Sequence, residues 1–235
     1  MKDVLGKALK DYTNGKKNAK IIVHCSHTED EEMDVSYFFR DWDSMPALEK
    51  TAVQLAKGKV LDVGAGAGCH SLVMKDTDLE VVALEQSKGA CEVMSSNGIN
   101  CLNQDIYELE EEKYDTILML MNGIGIAGTL GKLELLFRKL KNNLNPDGQI
   151  ILDSSDICYL FMDEDGGQWI DINANYYGEL RYRFEYDDEI SEEFDWLFID
   201  QKKLIEIAEL TGLDCQIIKE GEHYDYLARL TLKVN

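Results

Sequence analysis

Residues 60–72 read Val-Leu-Asp-Val-Gly-Ala-Gly-Ala-Gly-Cys-His-Ser-Leu, an apolar run that meets an acid and then glycine at every second position. Gly64, Gly66 and Gly68, with Ala65 between the first two, leave the backbone bare. A ligand can lie against such a turn while the chain passes from strand to helix. A dinucleotide site wants G-x-G-x-x-G, with its pyrophosphate on the helix N-terminus. Here the third glycine comes one position early, and Cys69 stands where that pattern needs it. Asp62, two residues before Gly64, repels a phosphate and suits a cation. A glycine-rich turn that holds nothing is the alternative.

Further polar residues fall at the ends of expected strands. Glu85 follows Gly64 by 21 residues. A carboxylate there accepts two hydrogen bonds from vicinal ribose hydroxyls, in nicotinamide and methyl-donor sites alike. Gln86 would lie beside the same sugar or the base, and Asp105 follows the next short strand in Asn-Gln-Asp-Ile (103–106). Met121-Asn122-Gly123-Ile124-Gly125 opens at the carboxyl edge of the sheet, where ligands bind in open α/β folds. Asn122 there is either a substrate-binding group or a turn cap. The aromatic segment 35–42 carries Tyr37 and Arg40. As a lid it would bring both to a ligand carboxylate, a charge-assisted contact; otherwise it packs on the sheet. His24, His27, His70, His223, Asp153 and Asp156 are the candidate proton acceptors, and spacing singles out none.

These residues need a scaffold, and strand and helix alternate from 47 to 153, the pattern of a parallel sheet covered on both faces. A helix over 47–56 has Pro46 at its first turn and Gly58 past its end. Strand 59–63, helix 69–75, strand 79–84, helix 88–96, strand 100–102 and strand 114–121 follow. Leu133, Leu136, Phe137, Leu140 and Leu144 recur with a helical period over 130–144. Asn145-Pro146-Asp147-Gly148 then turns the chain into strand 149–153. Beyond it the period changes. Leu180, Tyr182, Phe184 and Tyr186 alternate with Glu179, Arg181, Arg183 and Glu185, the sign of a half-exposed strand. With Phe194, Trp196 and Phe198 this predicts an inserted antiparallel hairpin within about 157–199, a second wall bearing Tyr176 and Tyr177, or a dimer contact. Helix 201–210 and strands near 213–219 and 224–234 close a main domain over 46–235. Residues 1–45 are expected to form an N-terminal lid or helical extension.

A chain of 235 residues suffices for one such domain with a modest addition. Its net charge of −21, from 45 acidic against 24 basic residues, repels phosphate backbones and disfavours a nucleic-acid partner. The acidic clusters at 29–32 and 108–112 read as solvated faces. Six scattered cysteines without a C-x-x-C pair suggest reduced thiols and a cytoplasmic location. The apolar run 117–121 is too short to span a bilayer, and no leader-like run follows Lys2.

Strand, Asp62, G-x-G-x-G, helix, Glu85 and Asp105, in that order, resemble the class I S-adenosylmethionine-dependent methyltransferases. The resemblance runs motif by motif over 46–156, and by topology alone over 200–235. It implies an α/β fold: a Rossmann-like, seven-stranded, mostly parallel sheet with helices on both faces and an antiparallel last strand. It implies S-adenosyl-L-methionine as methyl donor and no metal. Carried over by position, Asp62, Gly64, Ala65, Gly66, Gly68, Glu85, Gln86, Asp105, Ile106 and Met121 form the donor site, with Tyr37 and Arg40 from the lid. Asp105 would accept from the adenine amine and Ile106 would cover the ring. Asn122 and Tyr177 would face the acceptor. Members that methylate adenine or glutamine place Asn/Asp-Pro-Pro-aromatic after the fourth strand, and this chain has no such prolines. A small-molecule acceptor is therefore expected.

Methyl transfer from a sulfonium is an in-line displacement with a neutral leaving group, so alignment and exclusion of water are the main tasks. A base is needed only for an alcohol, phenol or ammonium. A nicotinamide-dependent oxidoreductase and a non-catalytic donor-binding protein are the alternatives.

Overall fold

Strands buried on both faces read as nearly unbroken apolar runs, and β3 (Lys59–Val63), β4 (Glu80–Glu85) and β6 (Tyr114–Met119) do so here. The computed structural model describes residues 2–162 and 175–233. With β5 (Asn100–Asn103), β7 (Leu144–Ser155), β11 (Leu213–Glu220) and β12 (Asp225–Leu232), these strands form a seven-stranded sheet. Its order is β11-β12-β7-β6-β3-β4-β5. The pairs among β7, β6, β3, β4 and β5 are parallel, and β12 runs antiparallel between β7 and β11. The expected α/β, Rossmann-like sheet is present.

Alternate residues of each strand serve opposite faces. Leu61, Ile117, Met119, Ile150 and Leu152 pack under α5 (Leu130–Asn142) and α6 (Gln201–Leu210), against Leu133, Phe137 and Leu204. Val60, Leu118 and Ile151 face the other way, against Leu48 and Ala52 of α2 (Ala47–Leu55) and Met74 of α3 (Cys69–Lys75). By the same alternation Asp62 and Asp153 both project onto the α2–α3 side. That placement makes the site.

A second sheet was only half expected. The predicted hairpin is present as β8 (Glu179–Tyr186) and β10 (Phe194–Leu197), antiparallel, with short β9 (Glu189–Ile190) added to β8. Residues 163–174 of the expected insertion lie outside the described residues. The N-terminal region adds β1 (Lys20–Cys25) and β2 (Glu31–Asp34), giving the order β10-β8-β1-β2. Before them α1 (Val4–Thr13) buries Val4, Ala8 and Leu9. Asp3 anchors it, accepting from Gly6 N–H at 2.9 Å and, across the interface, from Gly89 N–H at 2.7 Å. Gly89 belongs to α4 (Lys88–Ser96).

Two local expectations are corrected. The segment 145–148 does not end a helix ahead of a separate strand. It bulges from β7, which pairs with β6 at Leu144 and again from Gln149. Cys91 of α4 and Cys101 of β5, with Cα atoms 5.7 Å apart, are joined as a disulfide, so the cysteines are not all free. Among the described residues no helix is long and apolar enough to cross a membrane, and no cluster of His, Cys, Asp or Glu could hold a metal.

Candidate functional site

Gly64, Gly66 and Gly68 all adopt left-handed φ (69°, 57° and 82°), which lets the chain leave β3 and enter α3 within five residues. Phe38 lies over the turn at Gly66, 3.3 Å from where a Cβ there would stand. Asp62, buried at the end of β3, accepts from the Ser71 hydroxyl at 2.7 Å. Glu85 ends β4 with each carboxylate oxygen on one backbone N–H, Gly66 and Ser87, both at 2.9 Å. Burial pushes its carboxyl above the ordinary range against those bonds. The glycine turn and the second acid are thus physically tied.

Gln86 donates to Asp105 at 2.8 Å, and Asp105 also accepts from Tyr107 N–H at 2.9 Å. Ile106 points into the core rather than outward; its neighbour Tyr107 is the exposed ring. Asn103 donates to the carbonyls of Glu85 and Gln86 and locks this rim.

On the α2–α3 side lies a charged network that sequence spacing did not foretell. One guanidinium nitrogen of Arg40, Nη2, donates to both oxygens of Glu49 at 2.6 and 2.7 Å. Glu49 Oε2 also meets His70 Nε2 at 2.7 Å. The Tyr37 ring stacks on the Arg40 guanidinium, 3.6 Å from its centroid. The side chains of Arg40, Glu49 and His70 are only 8, 4 and 4 % exposed. Burial works against the His70 imidazolium, but the Cys69 thiol and Glu49 carboxylate outweigh it and hold its pKa well above the usual value. Burial likewise opposes ionised Glu49, and His70 with Arg40 overcomes that and lowers its pKa. Arg40 Nε and Nη1 are buried with no hydrogen-bond partner among the described residues. Buried donors are normally paired, so this edge is shaped for an acceptor.

After β6 the backbone is strained. Met121 and Asn122 hold φ of 60° and 55°, unusual without glycine. Asp153, at the carboxyl end of β7, secures them: it accepts from Met121 N–H at 3.2 Å and Asn122 N–H at 2.7 Å. The Asn122 amide is spent on protein, donating to Leu197 carbonyl and accepting from Ser154. The side chain makes no cap bond in the turn that follows; it ties this loop to β10 and β7. Burial, with Glu49 adding to it, pushes the Asp153 pKa up to about 7, against the two N–H groups and His70.

Tyr177 stands over the end of β7, donating to Asp156 at 2.8 Å and reaching Asp200 at 3.4 Å. Tyr176 donates to Asp200 at 2.6 Å, and the Phe161 ring sits edge-on to Tyr177. Trp196 of β10 lies against Gly125, so the hairpin forms a wall over this edge. His24 lies away on the second sheet between Asp30 and Glu185, and His223 stands in the β11–β12 turn. Glu49, Ser71, Phe38 and Tyr107 join the site without any motif to announce them.

The chain is similar to the SAM-dependent methyltransferase from Bacteroides fragilis solved in complex with S-adenosyl-L-homocysteine, at 43% identity and TM-score 0.93, covering 99% of this chain and 96% of that one. At 12% identity it shares the fold of the CcbJ methyltransferase from Streptomyces caelestis (TM-score 0.60, covering 84% and 98%). A sugar N-methyltransferase from a Streptoalloteichus species also shares it at 12% identity (TM-score 0.58, covering 85% and 92%). No protein-family model matches the chain, and no curated protein matches it.

Proposed function

The chain belongs to the S-adenosylmethionine-dependent methyltransferases, and from that membership we propose that it passes the donor's methyl group to a small-molecule acceptor by in-line displacement. The bound donor supplies an electrophilic methyl carbon, whose bond to sulfur breaks as the bond to the nucleophile forms. Everything the chain adds is grip and alignment. In this reading the glycine turn lies along the donor, and Asp62 takes its ammonium. Glu85 takes the ribose hydroxyls. Gln86, Asp105 and the backbone at Ile106 frame the adenine, with Tyr107 as its cover. Met121 lines the approach to the methyl group, and Tyr177 bounds the acceptor side.

One observation carries the reading: Arg40 leaves Nε and Nη1 without a partner among the described residues, and buried Asp62 ends β3 on the same side of the sheet, opposite charges for an amino acid's carboxylate and ammonium. A pyrophosphate would have to lie against Asp62. The small-molecule acceptor is favoured by the net charge of −21 and by the missing prolines after β6. The fold relative that is named for a sugar substrate agrees.

Isothermal titration tests the donor site. S-adenosylhomocysteine should bind, and Arg40→Lys, which keeps a charge beside Glu49 but loses the planar fork, should weaken it about tenfold to a hundredfold. Unchanged affinity in that variant, or NAD binding in place of both donor ligands, would reverse the assignment.

A further inference from the structure

The disulfide between Cys91 and Cys101 is not needed to hold a core of this size. Disulfide frameworks belong to much smaller domains, and this chain of 235 residues has a full core. It has one such bond, while Cys25, Cys69, Cys158 and Cys215 are free. Where most thiols stay reduced, a single disulfide is usually a reversible one. Its position decides what that reversibility could control.

The bond joins residues 10 apart and closes the passage from α4 to β5 into a covalent ring. Met94 and Ile99, both within the ring, stand 2.8 Å from where a Cβ on Gly68 would be. The ring therefore lies against the third glycine of the turn. Cys91 also packs in one cluster with Ala65 of that turn. Beyond the bond, Cys101 pairs with Ala83, and two residues later Asn103 pairs with Glu85. Asn103 is the residue that donates to the carbonyls of Glu85 and Gln86, at 3.0 and 2.9 Å. The Cys91 sulfur lies 3.6 Å from the same Glu85 carbonyl. Within a disulfide it has no proton to give; as a thiol it adds a second donor to the oxygen that Asn103 holds. Resting on the donor-site reading, we propose that Cys91 and Cys101 form a reversible redox switch: oxidised, the pair holds the glycine turn and the Glu85–Gln86 rim ready for the donor, and reduced, it loosens them.

The reductant is a low-molecular-weight thiol such as glutathione. Cys101 is half-buried and Cys91 only 7 % exposed, so the incoming thiolate attacks the Cys101 sulfur. The bond between the two protein sulfurs breaks, and Cys91 leaves as a thiolate that takes a proton from solvent. A second thiolate then displaces the first from Cys101, which is protonated in turn. The protein gains two electrons and two protons, and the reductant departs as its own disulfide. Glutathione disulfide runs the same steps backward. Opening the ring removes no donor contact but costs the site its pre-organisation, so S-adenosylhomocysteine should bind the reduced protein about threefold to tenfold more weakly.

The test equilibrates the intact protein in glutathione buffers of rising oxidised share. Alkylation with N-ethylmaleimide after denaturation, read by mass spectrometry, should pass from six modified cysteines to four. Isothermal titration with S-adenosylhomocysteine in the same buffers should show affinity rising with the same midpoint. Cys101→Ser should bind with the reduced-state affinity in every buffer. The wild-type titrations decide the matter even if that variant folds poorly. A pair that never changes state across these buffers, equal affinity in the two states, or a redox response that persists in Cys101→Ser would each overturn the switch while leaving the donor site intact. Failure of the ligand to bind in either state would overturn the site and the switch together.

Discussion

Glu49 touches no ligand in this arrangement, yet two cations depend on it. Its carboxylate holds Arg40 by one nitrogen, so that the opposite edge stays free, and it holds His70 in the charged form. Breaking one member of a buried pair leaves the others uncompensated, at about 3–5 kcal/mol. Glu49→Gln should therefore lower the thermal midpoint by roughly 10 °C for a chain of this size. It should also weaken S-adenosylhomocysteine by at least about tenfold, since Arg40 is no longer steered. The pH dependence has a definite sign. A carboxyl whose pKa falls on folding contributes stability above its ordinary value of 4.5, and that stability is lost as pH drops through the folded-state value. Scanning calorimetry should find the acid side of the stability curve flatter in the variant. An unaltered curve with unaltered affinity would make Glu49 a bystander.

Among elements, the central strands and helices were legible because two plain signals mark them. Strands covered on both faces are largely apolar, and glycine or asparagine follows most of the helices, α3 with Asp76 after it excepted. The second sheet carried neither signal. Strand β2, Glu-Glu-Met-Asp, is an exposed edge with no apolar alternation, held by its ladder to β1. Strand β1 gains its place from β8, far along the chain, and pairing over that distance has no local signature. The site divides the same way. Asp62, the glycines and Glu85 could be located from one strand–turn–helix unit and the next strand end. Glu49 and His70 meet only after two helices pack, and their spacing of 21 residues says nothing of that. The bulge at 145–148 hid because Asn-Pro-Asp-Gly reads as a turn wherever it stands.

One contact of the wall formed by β10 pairs two residues that the sequence does show: a glycine facing a tryptophan. A Cβ on Gly125 would run into the Trp196 indole. Gly125→Ala should displace β10 from the edge of the site at a cost of about 1–3 kcal/mol. Trp196 fluorescence should shift toward that of an exposed indole, and the segment around 194–197 should exchange its amide hydrogens faster. Donor affinity should hardly move, because the contacts proposed to grip the donor lie at the ends of β3, β4 and β5 and on the covering segment, away from β10. Loss of donor binding without a change at Trp196 would place the wall elsewhere.

At the scale of the whole molecule, the excess of acid has a kinetic use. The pairs that organise the site are buried and nearly balanced, so most of the net charge of −21 lies on outer faces, where it sets the long-range field. That field reaches about 10 Å at 0.1 M salt and shrinks as salt is added. S-adenosylmethionine carries one net positive charge at neutral pH and is drawn inward. S-adenosylhomocysteine carries none and is not. The association rate of the donor, followed by stopped-flow tryptophan fluorescence, should therefore fall severalfold as sodium chloride rises from low to high concentration. That of the product should stay nearly constant. The difference belongs to the field and not to the pocket, so it should persist in Arg40→Lys, whose change lies inside the site. Acceleration by salt, or equal slowing of both ligands, would mean that the surface charge steers nothing and that discrimination begins only within the pocket.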